Sequence, residues 1–321
     1  MFPNQKLKAA SVSIFSNSFL IAAKLVVGFY TGSVSVLSEA VHSLNDLAAA
    51  VLAFLAIRKA DRPADHNHPF GHGKFESVSG FLEGLLIFGA AGYIAYEAVH
   101  RALAGANVEA VPAGIAVMAV SIVLNLGVSR YLNRVAKRTD SLALEADAQH
   151  LWGDVYTSVG VLVALGIIYF TGFHMLDPLV ALVLAAFLCK TAYGVSRKGL
   201  DGLLDTRLPE AEEQKIKEVL RNHSQQAVGF HSLRSRKSGS ERFVDLSLII
   251  CRDLKVGEAH DICDHLEEHI KESLPKTQVI VHVEPCFDEL GCPRGRTDCE
   301  VLGEYKRKRN LKLGKASNSS A

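Results

Sequence analysis

From residue 9 to about residue 200 the chain runs in long apolar stretches, whereas 205–285 alternates apolar with charged positions. A membrane-crossing helix needs about 20 mostly apolar residues. Six stretches predict such helices, at about 9–30, 34–58, 77–100, 112–135, 144–171 and 177–200. Pro178 opens the last of them, where a missing amide hydrogen costs nothing. Several stretches contain strongly polar groups: Lys24, His42, Asp46, Glu83, Glu97, Asn125, His150 and Asp154. Helices facing lipid all round would not carry them, so the six are expected to pack as a bundle around a polar interior.

After Pro209 the pattern changes to that of a small soluble domain. Residues 210–222 carry a helical apolar stripe of Ile216, Val219 and Leu220. Residues 228–237 and 241–252 read as strands around a Ser238-Gly239-Ser240 turn, 257–273 as a helix, and 277–284 as a last strand. The order αββαβ implies helices on one face of a small sheet. The expected organisation is an α-helical membrane protein with a six-transmembrane-helix bundle (1–206), then a small cytoplasmic α/β (αββαβ) domain (207–290). The polar, basic, Ser-rich 291–321 is expected to be a disordered tail.

Lys and Arg in the short connections set the expected orientation. Lys6 and Lys8 precede the first helix. Arg58, Lys59, Arg62 and Lys74 flank the second connection; Arg130, Arg134, Lys137 and Arg138 flank the fourth; Arg197 and Lys198 follow the sixth helix. The opposite side has Tyr30–Ser33, a 101–111 link with Arg101 alone, and Thr171–Asp177 without a base. Both termini are therefore expected in the cytoplasm, with the protein multi-pass in the plasma membrane (the inner membrane of a bacterium). No cleavable signal peptide is expected, because the first apolar run leads directly into further membrane segments.

Composition alone would not reveal this: 49% hydrophobic and 21% charged residues are ordinary for a soluble protein. The net charge of +1 gives no support for nucleic-acid binding, which usually needs a basic face. None of the six cysteines lies in a C-x-x-C pair. Cys286, Cys292 and Cys299 cluster towards the tail without the spacing of a tight zinc site.

Candidate chemistry lies inside the bundle. His42 and Asp46 stand four residues apart in the second helix, so both project from one face, a turn apart. His150 and Asp154 repeat that H-x-x-x-D spacing in the fifth helix. Together they can build a four-ligand N2O2 site, which suits tetrahedral Zn²⁺ at about 2.0–2.2 Å. Hydrogen bonding between helices is the competing reading. Two such pairs, each inside a membrane segment, favour function. The second connection reads Asp65-His66-Asn67-His68-Pro69-Phe70-Gly71-His72-Gly73-Lys74-Phe75-Glu76. Asp65, His68 and His72 offer one oxygen and two nitrogens within eight residues, although on its own this could be a solvated His-rich loop.

The paired H-x-x-x-D helices and the His-Pro-Phe-Gly-His-Gly-Lys-Phe-Glu loop resemble the cation diffusion facilitator family of metal-ion/proton exchangers. Six helices and an αββαβ domain match too, over about residues 8–286. The resemblance implies that His42, Asp46, His150 and Asp154 form the transport site, and that Asp65, His68 and His72 bind a second ion near the cytoplasmic surface. It implies a homodimer whose cytoplasmic domains associate, and a charge interlock between Lys74 and Asp205. His231, His260, His282 and Glu284 stand where the family's third metal site would be. Ser247 replaces a strand histidine found in some members, which leaves one ion on His260, His282 and Glu284, or surface histidines without an ion. Some relatives have Asp where this chain has His42, and imidazole there should favour Zn²⁺ over Mn²⁺ or Mg²⁺.

The expected activity is export of Zn²⁺ from the cytoplasm in exchange for protons by alternating access, with Zn²⁺ also a regulatory ligand and no prosthetic group. Export of Fe²⁺, Co²⁺, Cd²⁺ or Mn²⁺, or a non-transporting metal-sensing membrane protein, are the alternatives. An enzyme is not expected. A metalloprotease would need a base beside the metal, as in H-E-x-x-H, and an open position on the zinc.

Overall fold

The computed structural model describes residues 3–31, 34–104, 112–171, 176–223, 227 and 229–286. The tail from 287, with Cys292 and Cys299, lies outside the described residues, as do most of the 101–111 link and residues 172–175. The described chain divides into two compact units at about residue 205.

The first unit holds six long helices: α1 (Pro3–Thr31), α2 (Val34–Ala60), α3 (Lys74–Ala104), α4 (Pro112–Thr139), α5 (Leu142–Thr171) and α6 (Leu176–Leu203). Several outlast the apolar stretches at their basic ends. α4, for example, continues through Lys137 and Arg138 to Thr139. Once nucleated, a helix gains one hydrogen bond per added residue, and basic side chains suit its C-terminal dipole. Among the described residues four helices, α1, α3, α4 and α6, contain spans long and apolar enough to cross a membrane. α2 and α5, with 27 and 30 residues, carry the acids and histidines of the candidate site, and some of their side chains are outside those described.

Two apolar clusters organise this unit. One joins α1, α2, α4 and α5 through residues such as Ala10, Ala53, Ile57, Leu132, Leu144 and Leu151. The other joins α3 and α6 through Ile87, Ala91, Leu188 and Ala192. Alanine supplies six of the eleven buried residues of the first and two of the four of the second, as suits helices in lipid that associate by close backbone approach. A buried polar knot adds specificity. Lys6 Nζ lies 2.7 Å from Glu76 Oε1 and 3.6 Å from Asp61, and Ser141 Oγ donates to the other oxygen of Glu76 at 2.6 Å. Lys6, read in the sequence as a flanking cytoplasmic charge, is thus inside α1 and only 2% exposed.

The second unit contains α7 (Glu210–Asn222), β1 (Gly229–Ser238), β2 (Glu241–Ile250), α8 (Val256–Ser273) and β3 (Thr277–Pro285), the expected αββαβ order. The sheet order is β1-β2-β3, with β2 and β3 parallel. Gly239, at φ +60, makes the tight turn between β1 and β2. Ile216 and Leu220 of α7 and Ile262, Leu266 and Ile270 of α8 pack on Val244, Leu246 and Leu248 of β2. Arg242 clamps Glu212 with two bonds, from Nε at 2.7 Å and Nη2 at 2.8 Å, tying β2 to α7.

Candidate metal centre

The helical repeat of 3.6 residues puts Asp46 on the inner face of α2, and His150 and Asp154 on one face of α5. Ligand atoms of the three lie within 4.8 Å of one another. His150 Nε2 is 3.1 Å from Asp46 Oδ1, linking the two helices directly. Asp46 is 7% and His150 8% exposed. Asn17 of α1 donates to the Asp46 carbonyl at 3.3 Å, and Thr157 to the Asp154 carbonyl at 3.1 Å. These bonds fix the backbone beneath each acid. His150 Nδ1 is buried with no hydrogen-bond partner among the described residues. His42 lies in α2, but its side chain is outside those described.

Two further buried acids accompany this cluster. Glu83 of α3 has an exposure of 0% and interacts electrostatically with Asp147 and His150. Asp147 of α5 is 1% exposed and interacts with His150 and Asp46. Asp147 precedes His150 by three residues and so shares its face. That spacing could have singled it out in the sequence, whereas nothing local to Glu83 pairs it with α5.

The loop before α3 is a compact turn rather than an open stretch. Asp65 Oδ1 accepts from the amides of Asn67 and His68 at 3.0 and 2.8 Å, and Gly71 takes φ +78. The His68 amide, its side chain and the Asn67 amide hold the Asp65 carboxyl below the usual carboxylate range. His68 Nδ1 lies 3.2 Å from Asp65 Oδ1, and His72 Nε2 lies 3.3 Å from Asp65 Oδ2. The His68 and His72 rings also meet at a tilt of 41°, with centroids 4.4 Å apart. His72 is 3% exposed, and neither of its ring nitrogens has a hydrogen-bond partner among the described residues. A buried imidazole aimed at a carboxylate and a second imidazole is a donor set that fits a borderline dication.

In the second unit His231 Nε2 lies 3.1 Å from Glu284 Oε2 and His282 Nε2 lies 3.9 Å from Glu284 Oε1. The bond from His231 holds the Glu284 carboxyl below its ordinary range. Ser247 stands in register with His282 across β2 and β3. Within the protomer His260 does not join this group; its Nε2 is 3.5 Å from Asp264, one turn along α8. Lys74 and Asp205 each have a partner within their own unit. Lys74 donates to the Leu203 carbonyl at 3.3 Å, at the C-terminal end of α6, and Asp205 accepts from Arg236 at 3.1 Å.

Comparison with known proteins follows this division. Residues 10–204 match the cation efflux transmembrane domain, and residues 208–286 the cytoplasmic domain of cation efflux proteins. An uncharacterised transporter of Synechocystis sp. (strain ATCC 27184 / PCC 6803 / Kazusa), sll1263, is 39% identical over 279 residues, 87% of this chain and 90% of the relative. The cation-efflux pump FieF of Salmonella newport (strain SL254) is 32% identical over 279 residues, 87% of this chain and 92% of FieF. A solved structure of CzrB in its Zn form is 34% identical over 25% of this chain and 92% of that chain, with a TM-score of 0.24. The chain belongs to the cation efflux family, the cation diffusion facilitators, whose members are multi-pass membrane transporters and not enzymes.

Proposed function

We propose that this cation efflux protein is a zinc/proton antiporter that exports Zn²⁺ from the cytoplasm by alternating access. The observation that carries the reading is the meeting of buried Asp46 and His150 with half-buried Asp154 between α2 and α5. His42, one turn before Asp46, supplies the fourth ligand. Two imidazoles and two carboxylates match the softness and tetrahedral preference of Zn²⁺ better than those of hard oxygen-seeking ions.

Each residue has a distinct part. The two carboxylates offset the charge of a dication in a medium of low dielectric constant. The imidazoles ligate only when neutral, so protons and zinc compete for them. When the site opens outward, protons entering on His42 and His150 favour release of the metal. Asp65, His68 and His72 form a second site at the cytoplasmic side, and His231, His282 and Glu284 bind regulatory zinc, whereas His260 stays with Asp264. Lys74 and Asp205 carry the family's charge interlock, and the protein works as a homodimer through its cytoplasmic domains. Both termini lie in the cytoplasm, with the protein in the plasma membrane.

The test is purified protein in liposomes held at zero membrane potential, with a zinc dye and a pH dye inside. Zinc movement should be accompanied by counter-moving protons and accelerated by a proton gradient directed against it. Asp154→Ala and Asp46→Ala should abolish both signals while the protein still elutes as a folded dimer. Zinc flux without pH change would establish a uniporter, and full flux in both variants would remove the site.

A further inference from the structure

A further group of histidines belongs to none of the three clusters described above. His223 ends α7 as its C-cap residue, and His265 and His269 lie four apart on α8. One candidate ligand atom from each of the three lies within 4.8 Å of the others. Their rings meet edge to face, with centroids 4.4 Å apart for His265 and His269, 4.7 Å for His223 and His269, and 5.2 Å for His223 and His265. All three are partly exposed, so an ion could reach them from solvent.

We propose that His223, His265 and His269 form a metal site for a borderline divalent transition ion, Zn²⁺ above all, that joins the end of α7 to α8. Three features argue for ligation over ring packing. His223 Nδ1 is 2.7 Å from the Val219 carbonyl, which can only accept. The ring must therefore carry its proton on Nδ1, leaving the Nε2 lone pair for a metal; an outward hydrogen bond of this kind is what orients ligating imidazoles. The C-terminal end of α7 is the negative end of its dipole and favours a cation beside it. Asp261, Glu268 and Glu272 stand three or four residues from the α8 histidines, on the same face. Carboxylates at that spacing raise the local concentration of dications without being ligands.

The donor set decides the class of ion. Three neutral nitrogens suit Zn²⁺, Co²⁺, Ni²⁺ or Cu²⁺ and are poor ligands for Mg²⁺ or Ca²⁺. Nitrogens about 2.0–2.1 Å from a tetrahedral zinc lie about 3.4 Å from one another. Side-chain rotation at the helix end would bring the three into that range, and the fourth position would hold water. Binding would cross-link two helices of one cytoplasmic domain, stabilising that domain in proportion to zinc occupancy. The site would report cytoplasmic zinc independently of the transport centre.

The experiment uses full-length protein in detergent carrying Asp154→Ala, so that its outcome does not depend on the transport reading. Zinc bound per protomer is measured by equilibrium dialysis, and Co²⁺ substitution is followed through its visible ligand-field bands. His265→Gln/His269→Gln should bind one ion fewer per protomer, and part of the Co²⁺ spectrum should vanish with it. A parallel measurement needs no variant. Carbethoxylation of the three histidines, mapped by mass spectrometry, should be suppressed together by Zn²⁺ and not by Mg²⁺. Unchanged zinc stoichiometry and spectra in the variant, or modification of the three indifferent to zinc, would make the cluster a packing feature and overturn the proposal.

Discussion

Replacing Gly199 with alanine should force α3 and α6 apart. A methyl group there would lie 2.5 Å from the Phe81 amide nitrogen, 2.8 Å from Phe81 Cα and 2.8 Å from the Ser77 carbonyl oxygen. Ordinary contact for such a carbon begins at 3.4 Å, so the backbones must separate locally by about 0.9 Å. The obstruction is backbone, which no rotamer change can clear. Overpacking of this kind costs about 1–3 kcal/mol. On the scale of soluble domains of comparable size that lowers Tm by about 2–12 °C. Gly84→Ala should act likewise, since its methyl group would meet the Ser196 backbone at 2.7 Å. Gly194→Ala is the control, because it lies on the same helix with nothing within 4 Å; it should match or slightly exceed the parent through better helix propensity. Gly153→Ala, opposed only by the tip of Leu188, should fall between. The assay is thermal unfolding of detergent-solubilised protein, read by loss of the monodisperse elution peak. Equal melting temperatures for Gly199→Ala and Gly194→Ala would refute close backbone approach as the basis of the α3–α6 contact.

The other expectations can be tested separately. His42→Asp exchanges an imidazole for a hard oxygen and should broaden transport towards Cd²⁺ or Mn²⁺; an unchanged competition profile would mean geometry, not ligand type, sets preference. Arg242→Lys loses the two-bond grip on Glu212, a loss of about 1–3 kcal/mol for charged hydrogen bonds, and should speed amide exchange in α7. Exchange at the parent rate would show the pair to be dispensable. Burial, and then the charges of Glu267 and Asp264, push the Cys263 thiol up. Less thiolate is therefore present at any given pH, and alkylation of Cys263 near pH 8 should be far slower in native than in unfolded protein. Equal rates would contradict its burial on α8.

Much of this architecture is legible from pattern alone. Apolar length located the long helices, and the change of period after Pro209 separated the small domain with its strand and helix order. What stayed hidden depends on contacts between distant residues. Lys6 looks like a solvated flanking base until Glu76, seventy residues later, is seen beside it. Glu83 gives no local hint that it approaches α5. The loop histidines read as a solvated stretch because sequence cannot show that His72 is enclosed while Asp65 and His68 remain exposed. The His223, His265 and His269 group was half visible as an H-x-x-x-H spacing on α8. Its third member comes from another helix, and only the packing of α7 on α8 supplies it.

α2 and α5, the helices that carry the site, place Asp46, Asp147, His150 and Asp154 among the packed helices. Such groups are costly in hydrocarbon unless protein surrounds and neutralises them. Packing against α1, α3 and α4 supplies the surroundings, but neutralisation must come from what the site binds. With both proposed carboxylate ligands ionised, a bound dication balances them. Once it leaves, the same carboxylates face one another in a low-dielectric interior with two charges uncompensated. Protons taken up by the imidazoles beside them restore the balance. On the proposed reading, exchange of Zn²⁺ for protons follows from electroneutrality in a buried site. On that reasoning a variant that removes one carboxylate should need fewer protons to empty, so its residual flux, where any survives, should show a weaker dependence on the proton gradient. A residual flux as steeply pH-dependent as that of the parent would show that protons act elsewhere than at the metal ligands.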